Sequence, residues 1–302
     1  MTSSTTTDSL LSCCDNYILI DVGANITNKK FLRDIDSVVQ RAKESGIQKI
    51  IVPGSSIKSA KEALRLAKFH PGTVYATAGI HPFEAKSWEE SQMLELQEIL
   101  QDTECVAVGE IGLDYTKDFS PRDVQKYVFE KQVALACQLK KPIILHEKGA
   151  HEDVMEVLKK YEDTLPPLVF HSFVGTFDEA KSYLQFDTSY IAVSGYICKD
   201  NSTNGIQKLI ESKALPLNRI LVETDSPFLY PNARSSKLPT QVKSTFTQRS
   251  LKFLERYCTF QRNEPCSLPI IVEIVAGLMN KPAEEVALAS TLNALKVFGL
   301  SS

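Results

Sequence analysis

Four short apolar runs in this chain each stop at a residue able to hold a metal or move a proton. "CVAVGE" ends at Glu110, "PIILH" at His146, "LVFH" at His171, and "ILVET" runs through Glu223 to Asp225. The chain has five histidines, and two of them close consecutive runs. Any one of these residues alone is more often structural. Brought together, Glu, His, His and Asp make a mixed nitrogen and oxygen donor set suited to a divalent ion such as Mg²⁺, Mn²⁺ or Zn²⁺. In a partly desolvated cup the same groups would be costly without a partner, and an ion satisfies them together.

Other residues border this set. His81, in "AGIHPFEA", follows another apolar run and reads as a substrate contact rather than a metal ligand, because a loop position is less fixed than a strand end. His151 reads as facing the mouth or the surface, and His70, before a Pro-Gly turn, as surface. Gly109 and Gly112 flank Glu110 and let the backbone approach closely. Asp114 reads first as an Asx turn or a group that fixes its loop, and second as a direct participant. The first apolar run, "YILIDVG", breaks off at Asp21, Gly23 and Asn25, three small positions that raise the question of a further metal ligand.

These residues need elements to position them. Eight near-continuous apolar runs of four to six residues fall at 17–22, 49–53, 74–79, 105–110, 142–146, 168–171, 190–195 and 220–224. Such runs suit strands buried on both faces of a parallel sheet. Helix-like stretches lie between them, for example at 31–45, 57–69, 88–101, 121–139 and 150–161. Ser120-Pro121 reads as an N-cap followed by Pro at the first helical position, with Asp123 in the first turn. The alternation predicts an α/β fold, a (β/α)₈ TIM barrel, in which chemistry sits at the C-terminal ends of the strands. An open doubly wound sheet competes, but no glycine-rich phosphate fingerprint follows the first strand. One barrel is expected over residues 17–302, after a Ser/Thr-rich tail at 1–16 read as disordered.

Composition narrows the function classes. A formal charge of −3, a pI near 6.0 and 24% charged residues give no global basic bias, so any nucleic-acid contact is local. No apolar run reaches the ~18 residues of a membrane helix, and the opening lacks both a secretory and a mitochondrial signature. Seven cysteines, an odd number without a C-x-x-C pair, point to a reducing compartment, cytosol or nucleus. The section 231–265 differs from the rest. Arg234, Lys237, Lys243, Arg249, Lys252, Arg256 and Arg262 stand there against Glu255 and Glu264. It reads as a solvated loop with a short surface helix over 243–258, or as a polyanion contact.

"TAGIHP", "VAVGEIGLDY", "KPIILHEKGAHEDVMEVL", "FHSFVGT", "ILVETDSPFL" and "RNEP", in this order, resemble the TatD family of metal-dependent deoxyribonucleases among the amidohydrolase-like barrels. The resemblance runs from about residue 20 to about residue 300. It implies hydrolysis of DNA phosphodiester bonds by metal-activated water, as a 3′→5′ exonuclease, an endonuclease or both, with one or two divalent ions, Mg²⁺ first. Glu110 matches the family's metal-bridging glutamate, His146 and His171 its strand-end ligands, and Asp225 the final acid that deprotonates water. Arg262 and Asn263, in "RNEP", match a signature near the rim and imply phosphate contact. Many relatives begin with Asp-x-His-x-His; here Asp21, Gly23 and Asn25 take those places, as in the branch without the histidine pair, and of the two histidine places only Asn25 offers a side-chain ligand atom.

The expectation is therefore a monomeric intracellular nuclease, cytoplasmic or nuclear, contacting DNA through phosphates with little sequence preference and a steep salt dependence. A role in DNA repair or fragmentation is consistent with it. A metal-dependent hydrolase of a small amide, lactone or ester, which would not need the basic section, is the alternative; a silent binding barrel is the third reading.

Overall fold

The computed structural model describes residues 17–200 and 203–301. The tail expected at 1–16, with Cys13 and Cys14, lies outside the described residues. Eight strands form one sheet in chain order, each parallel to its neighbour. They are β1 (Leu19–Asp21), β2 (Ile47–Val52), β3 (Val74–Ala78), β4 (Cys105–Asp114), β5 (Ile143–Lys148), β6 (Leu168–Phe170), β7 (Ser189–Val193) and β8 (Ile220–Val222). β8 returns to β1 through Val22 N–H to Val222 O, Asp225 N–H to Gly23 O and Asn25 N–H to Ser226 O. This is the (β/α)₈ barrel that the alternation predicts.

The helices are α1 (Ile35–Glu44), α2 (Ile57–Phe69), α3 (Ser91–Leu100), α4 (Arg122–Leu139), α5 (His151–Lys160), α6 (Phe177–Tyr183), α7 (Ile206–Glu211), α8 (Thr240–Lys243), α9 (Gln248–Tyr257), α10 (Leu268–Met279) and α11 (Ala283–Phe298). Most begin where a side chain or proline forces them to. Ser56 caps α2 by accepting from Ser59 N–H, and Thr176 and Glu179 form a reciprocal capping box on α6. α4 starts one residue later than the Ser120-Pro121 pattern predicts. Pro121 takes the cap position, because the Ser120 hydroxyl is engaged by Phe83 O and Lys86 N–H in the loop after β3. The helix expected over 243–258 divides: α8 ends at Lys243, and Thr247 caps α9 by accepting from Ser250 N–H.

Two apolar layers hold the barrel. Inside it, Ile20, Val22, Ile51, Ile144, Val169 and Leu221 meet, and Val297 and Phe298 of α11 pack among them from the end opposite the strand C-termini. The second layer lies between the strands and the surrounding helices. α10 is buried at nearly every position, which explains its uniformly apolar sequence. No single helix among the described residues is long and apolar enough to cross a membrane. The five described cysteines are unpaired.

Asp21 secures the seam of the barrel. It is fully buried, accepts from the N–H groups of Thr224 (3.0 Å) and Gly23 (3.3 Å), and accepts the Thr224 hydroxyl at 2.6 Å. Burial outweighs these bonds and pushes its carboxyl up to about 7. Between the ordinary value of 3.8 and about 7, the folded chain therefore binds more protons than the unfolded one. The stability from this group is complete below 3.8 and is lost as pH rises through about 7. In urea unfolding at about pH 4.5 and about pH 8, Asp21→Asn is expected to remove part of the fall in midpoint that the parent shows on going to the higher pH.

Candidate active site

The strand C-termini open into a cavity of about 700 Å³ lined by Asn25, His81, Glu110, His146, His171 and Asp225, among others. Glu110 is at its centre. The β4–β5 register slips between Val108 and Ile111, so Glu110 lies in a bulged stretch, the kind of irregularity that re-aims a side chain. Its Oε1 is 2.8 Å from His146 Nδ1, 3.4 Å from His81 Nε2 and 3.9 Å from His171 Nε2. Asp225 Oδ1 lies 3.7 Å from His171 Nε2. The strand-end residues that the sequence singles out thus meet in one place.

Each strand-end histidine is held from behind by a buried carboxylate. His146 Nε2 contacts Asp114 Oδ2 at 2.9 Å, and His171 Nδ1 contacts Glu223 Oε2 at 2.8 Å. Asp114 also makes the expected Asx turn, accepting the N–H and hydroxyl of Thr116. Glu223 is completely buried and also accepts Ser172 N–H. A carboxylate on one ring nitrogen keeps a proton there, so the nitrogen that faces Glu110 is the one that would give up its proton to ligate an ion. His81 is the reverse case. Its Nδ1 accepts Phe83 N–H at 3.1 Å, so Nε2 carries the proton and acts as a donor.

The electrostatics follow from this crowding. Burial alone would raise Glu110, but His171, His81 and the His146 contact hold it well below the usual carboxylate range. Burial would likewise lower His171, yet Glu223 and Glu110 keep it well above its ordinary value; Asp114 and Glu110 raise His146 in the same way, also against burial. Asp114 is lowered to about 2, the His146 contact outweighing its burial. Glu223 is raised, burial being the largest influence.

Gly23 accounts for the break in the first strand. A Cβ there would sit 2.4 Å from Glu223 Oε2 and 3.0 Å from His171 Cε1, so no side chain fits while Glu223 holds His171. Gly112, at φ +141°, has the same necessity on β4: a Cβ would fall 1.9 Å from His146 O.

Two expected contacts fall elsewhere. Asn263 is 0% exposed and does not line the cavity; it donates to Thr224 O, accepts Ser267 Oγ–H, and its own N–H bonds Pro227 O. It braces the segment that carries Asp225. Arg262 Nη2 donates to both oxygens of Asp34 (2.7 and 2.9 Å), and the side chain is paired with Glu264 and stacked on Phe31. The two residues of "RNEP" expected at a phosphate are thus engaged by protein partners and do not line the cavity. His151 bonds Ser182 and packs on Tyr183 outside the cavity, while His70 pairs with Asp36 on the flank.

The cavity wall contains groups the sequence reading passed over: Phe83, Lys148, Tyr196, Lys199 and Phe228. Lys148 was within reach, two residues after His146 on one strand and hence on the same face. Lys199 and Tyr196 follow β7 with no polar strand end to mark them.

A model of the TatD related DNase family matches residues 20–299. The chain belongs to the TatD-related DNase family. It is 34% identical over 282 residues to a protein of Erwinia tasmaniensis named 3′-5′ ssDNA/RNA exonuclease TatD, covering 93% of this chain and all of that one. Similarity is equal, 34% over 283 residues, to the protein of that name from Edwardsiella piscicida. Among solved structures, the TatD homolog YJJV of Escherichia coli K12 superposes with a TM-score of 0.78 at 27% identity, covering 94% of this chain and 98% of that one. An uncharacterized amidohydrolase from Saccharomyces cerevisiae shares the fold with a TM-score of 0.79 at 20% identity, covering 93% of this chain and 100% of that one. TatD nucleases are metal-dependent, and His81, Glu110 and His146, with ligand atoms all within 4.8 Å of one another, form a group able to hold an ion. At the first histidine place, the Asp-x-His-x-His departure of this TatD chain coincides with the lack of room found at Gly23.

Proposed function

We propose that this chain is a metal-dependent exonuclease that removes nucleotides from the 3′ end of single-stranded DNA or RNA. The observation that carries the reading is the cavity centre, where one carboxylate oxygen of Glu110, on β4, lies within 3.9 Å of imidazole nitrogens at the ends of β3, β5 and β6. The names of the relatives support the substrate and polarity. The small-molecule hydrolase and the silent barrel are not favoured by this family membership.

Glu110, His146 Nδ1, His171 Nε2 and Asp225 would hold the ion, with the Asn25 carbonyl as a further oxygen ligand; His81 would join them only on giving up the bond from Phe83 N–H to its Nδ1. The mixture of carboxylate, amide and imidazole suits Mg²⁺ or Mn²⁺ and admits Zn²⁺. The chemistry supplied by an ion held there would be polarisation of a phosphate oxygen and a lowered pKa for a bound water. Asp225, the most exposed of the acids at the centre, takes the proton of the attacking water. His81 Nε2–H and the ammonium groups of Lys148 and Lys199 bind the phosphodiester oxygens, contacts that carry no sequence information. Phe83, Tyr196 and Phe228 present ring faces to bases, which a strand end offers only when it is unstacked.

His171 is a ligand in this scheme because Glu223 fixes its tautomer. Glu223→Gln places an amide donor within reach of Nδ1, and metal affinity is expected to fall about 10–100-fold, read by titration calorimetry. An unchanged affinity in a folded variant would remove His171 from the ligand set. The reading as a whole is tested with strands labelled at one end: a ladder shortening from the 3′ end supports it, and scattered internal cuts would make the enzyme an endonuclease. We also place the enzyme in the cytoplasm or nucleus, on the strength of the five described cysteines, none of which is in a disulfide.

A further inference from the structure

The positive charge of residues 231–265 is unevenly distributed. Arg262 is engaged by Asp34 and Glu264, and Arg234 pairs with Glu255 at 2.6 Å. Of the remainder, Arg249, Lys252, Phe253 and Arg256 recur on α9 at i, i+3, i+4 and i+7, so they share one face of the helix. Ser250 and Leu254 are the positions that α9 buries. The stripe forms one wall of a groove of about 730 Å³, and Lys43 and Glu44 at the end of α1 form the other. Four cations thus line the groove against a single carboxylate, and none of the four forms an ion pair among the described residues.

The groove is also aromatic. Arg249 lies 5.6 Å from the Phe253 ring, while Arg256 and Arg41 lie 5.2 and 5.1 Å from Tyr257. Its position links it to the active site. The N-terminal end of α9 touches the C-terminal end of α1, where Arg249 donates to Glu44 O. Its other end leads through the Thr259–Arg262 bridge to Asn263, which holds Thr224 O beside Asp225. The stripe therefore runs up the barrel flank for about 10 Å, toward the mouth.

We infer that this groove is a second nucleic-acid contact, a track for the phosphodiester backbone of a single strand whose 3′ end occupies the mouth. Unpaired guanidinium and ammonium groups interleaved with aromatic rings are what a sequence-tolerant single-strand surface requires. The rings are half-buried and the outer face of α9 carries charge, so the stripe has no apolar face to insert into a lipid surface. The inference rests on the nuclease reading for its ligand, and its test separates the two.

The test compares the parent with R249Q/K252Q/R256Q, which keeps most of each side-chain stem, and with R234Q/K237Q/K243Q, which makes the same charge change elsewhere in the segment. Melting temperatures establish that all are folded. Binding is read by anisotropy, and cleavage by KM and kcat, on strands of about 30 and about 4 nucleotides, the latter no longer than the smallest single-strand sites. For the long strand, the α9 variant is expected to bind about tenfold more weakly. Its slope of log K against log salt should shrink by about 2, three phosphate contacts at ~0.7 each, with kcat unchanged. The short strand and the control variant should shift less than about twofold. An unchanged salt slope, or equal losses on both lengths, overturns the track while leaving the nuclease intact. Stripe-dependent binding by a parent that cleaves nothing supports the track and overturns the nuclease.

Discussion

Glu110→Gln is expected to abolish metal-dependent cleavage, with kcat/KM falling by about 10³-fold or more, and to remove most bound metal. The substitution keeps the shape and removes the charge. Glu110 is the one carboxylate that faces His81, His146 and His171 together, and their attraction holds it ionised in spite of its burial. A neutral amide cannot balance a divalent ion there, and its NH₂ would face donors. Steady-state kinetics with metal counting on the same preparation check the result. Retention of both activity and metal would show that the ion binds elsewhere.

Asp225→Asn is the second large effect, and its signature differs. Asp225 is reached through the turn after β8, and its N–H bonds Gly23 O across the barrel seam, so its backbone is fixed independently of its side chain. Asparagine retains an oxygen that can ligate but cannot take a proton. The expected result is a fall in kcat of about 10²–10⁴-fold with metal affinity and KM changed much less. Single-turnover kinetics separate the chemical step from binding. A loss confined to metal affinity would make Asp225 a ligand without a proton-transfer role.

The barrel was legible in the sequence because its signal is local. Eight apolar runs bounded by breakers mark eight strands buried on both faces, and no longer-range knowledge is needed to count them. The same local logic exposed Glu110, His146, His171 and Asp225, because polar residues at the ends of apolar strands violate the pattern around them. Helix starts were less legible. Ser120 has the chemistry of a cap, but its hydroxyl is taken by the loop after β3, a partner 37 residues away in sequence.

Long-range pairing also explains what the sequence hides within the site. Asn263 and Arg262 have the types that bind phosphate, and nothing in "RNEP" shows that Thr224 O and Asp34 already occupy them. Glu223 and Asp114 were visible as acids, but their task of setting imidazole tautomers depends on histidines 52 and 32 residues away. Gly23 is the clearest example. Its missing side chain reads in sequence as a lost ligand, and in the fold as the space that Glu223 and His171 require.

The most direct test of a metal-dependent nuclease in this barrel mouth is cleavage of a 3′- or 5′-labelled single strand with Mg²⁺, with Mn²⁺ and after chelation, by the parent and by Asp225→Asn, with bound ions counted. The account predicts stepwise shortening from the 3′ end by the parent, none after chelation, and almost none by the variant. Cleavage that survives chelation, or a folded parent that cuts nothing with any divalent ion supplied, would contradict it.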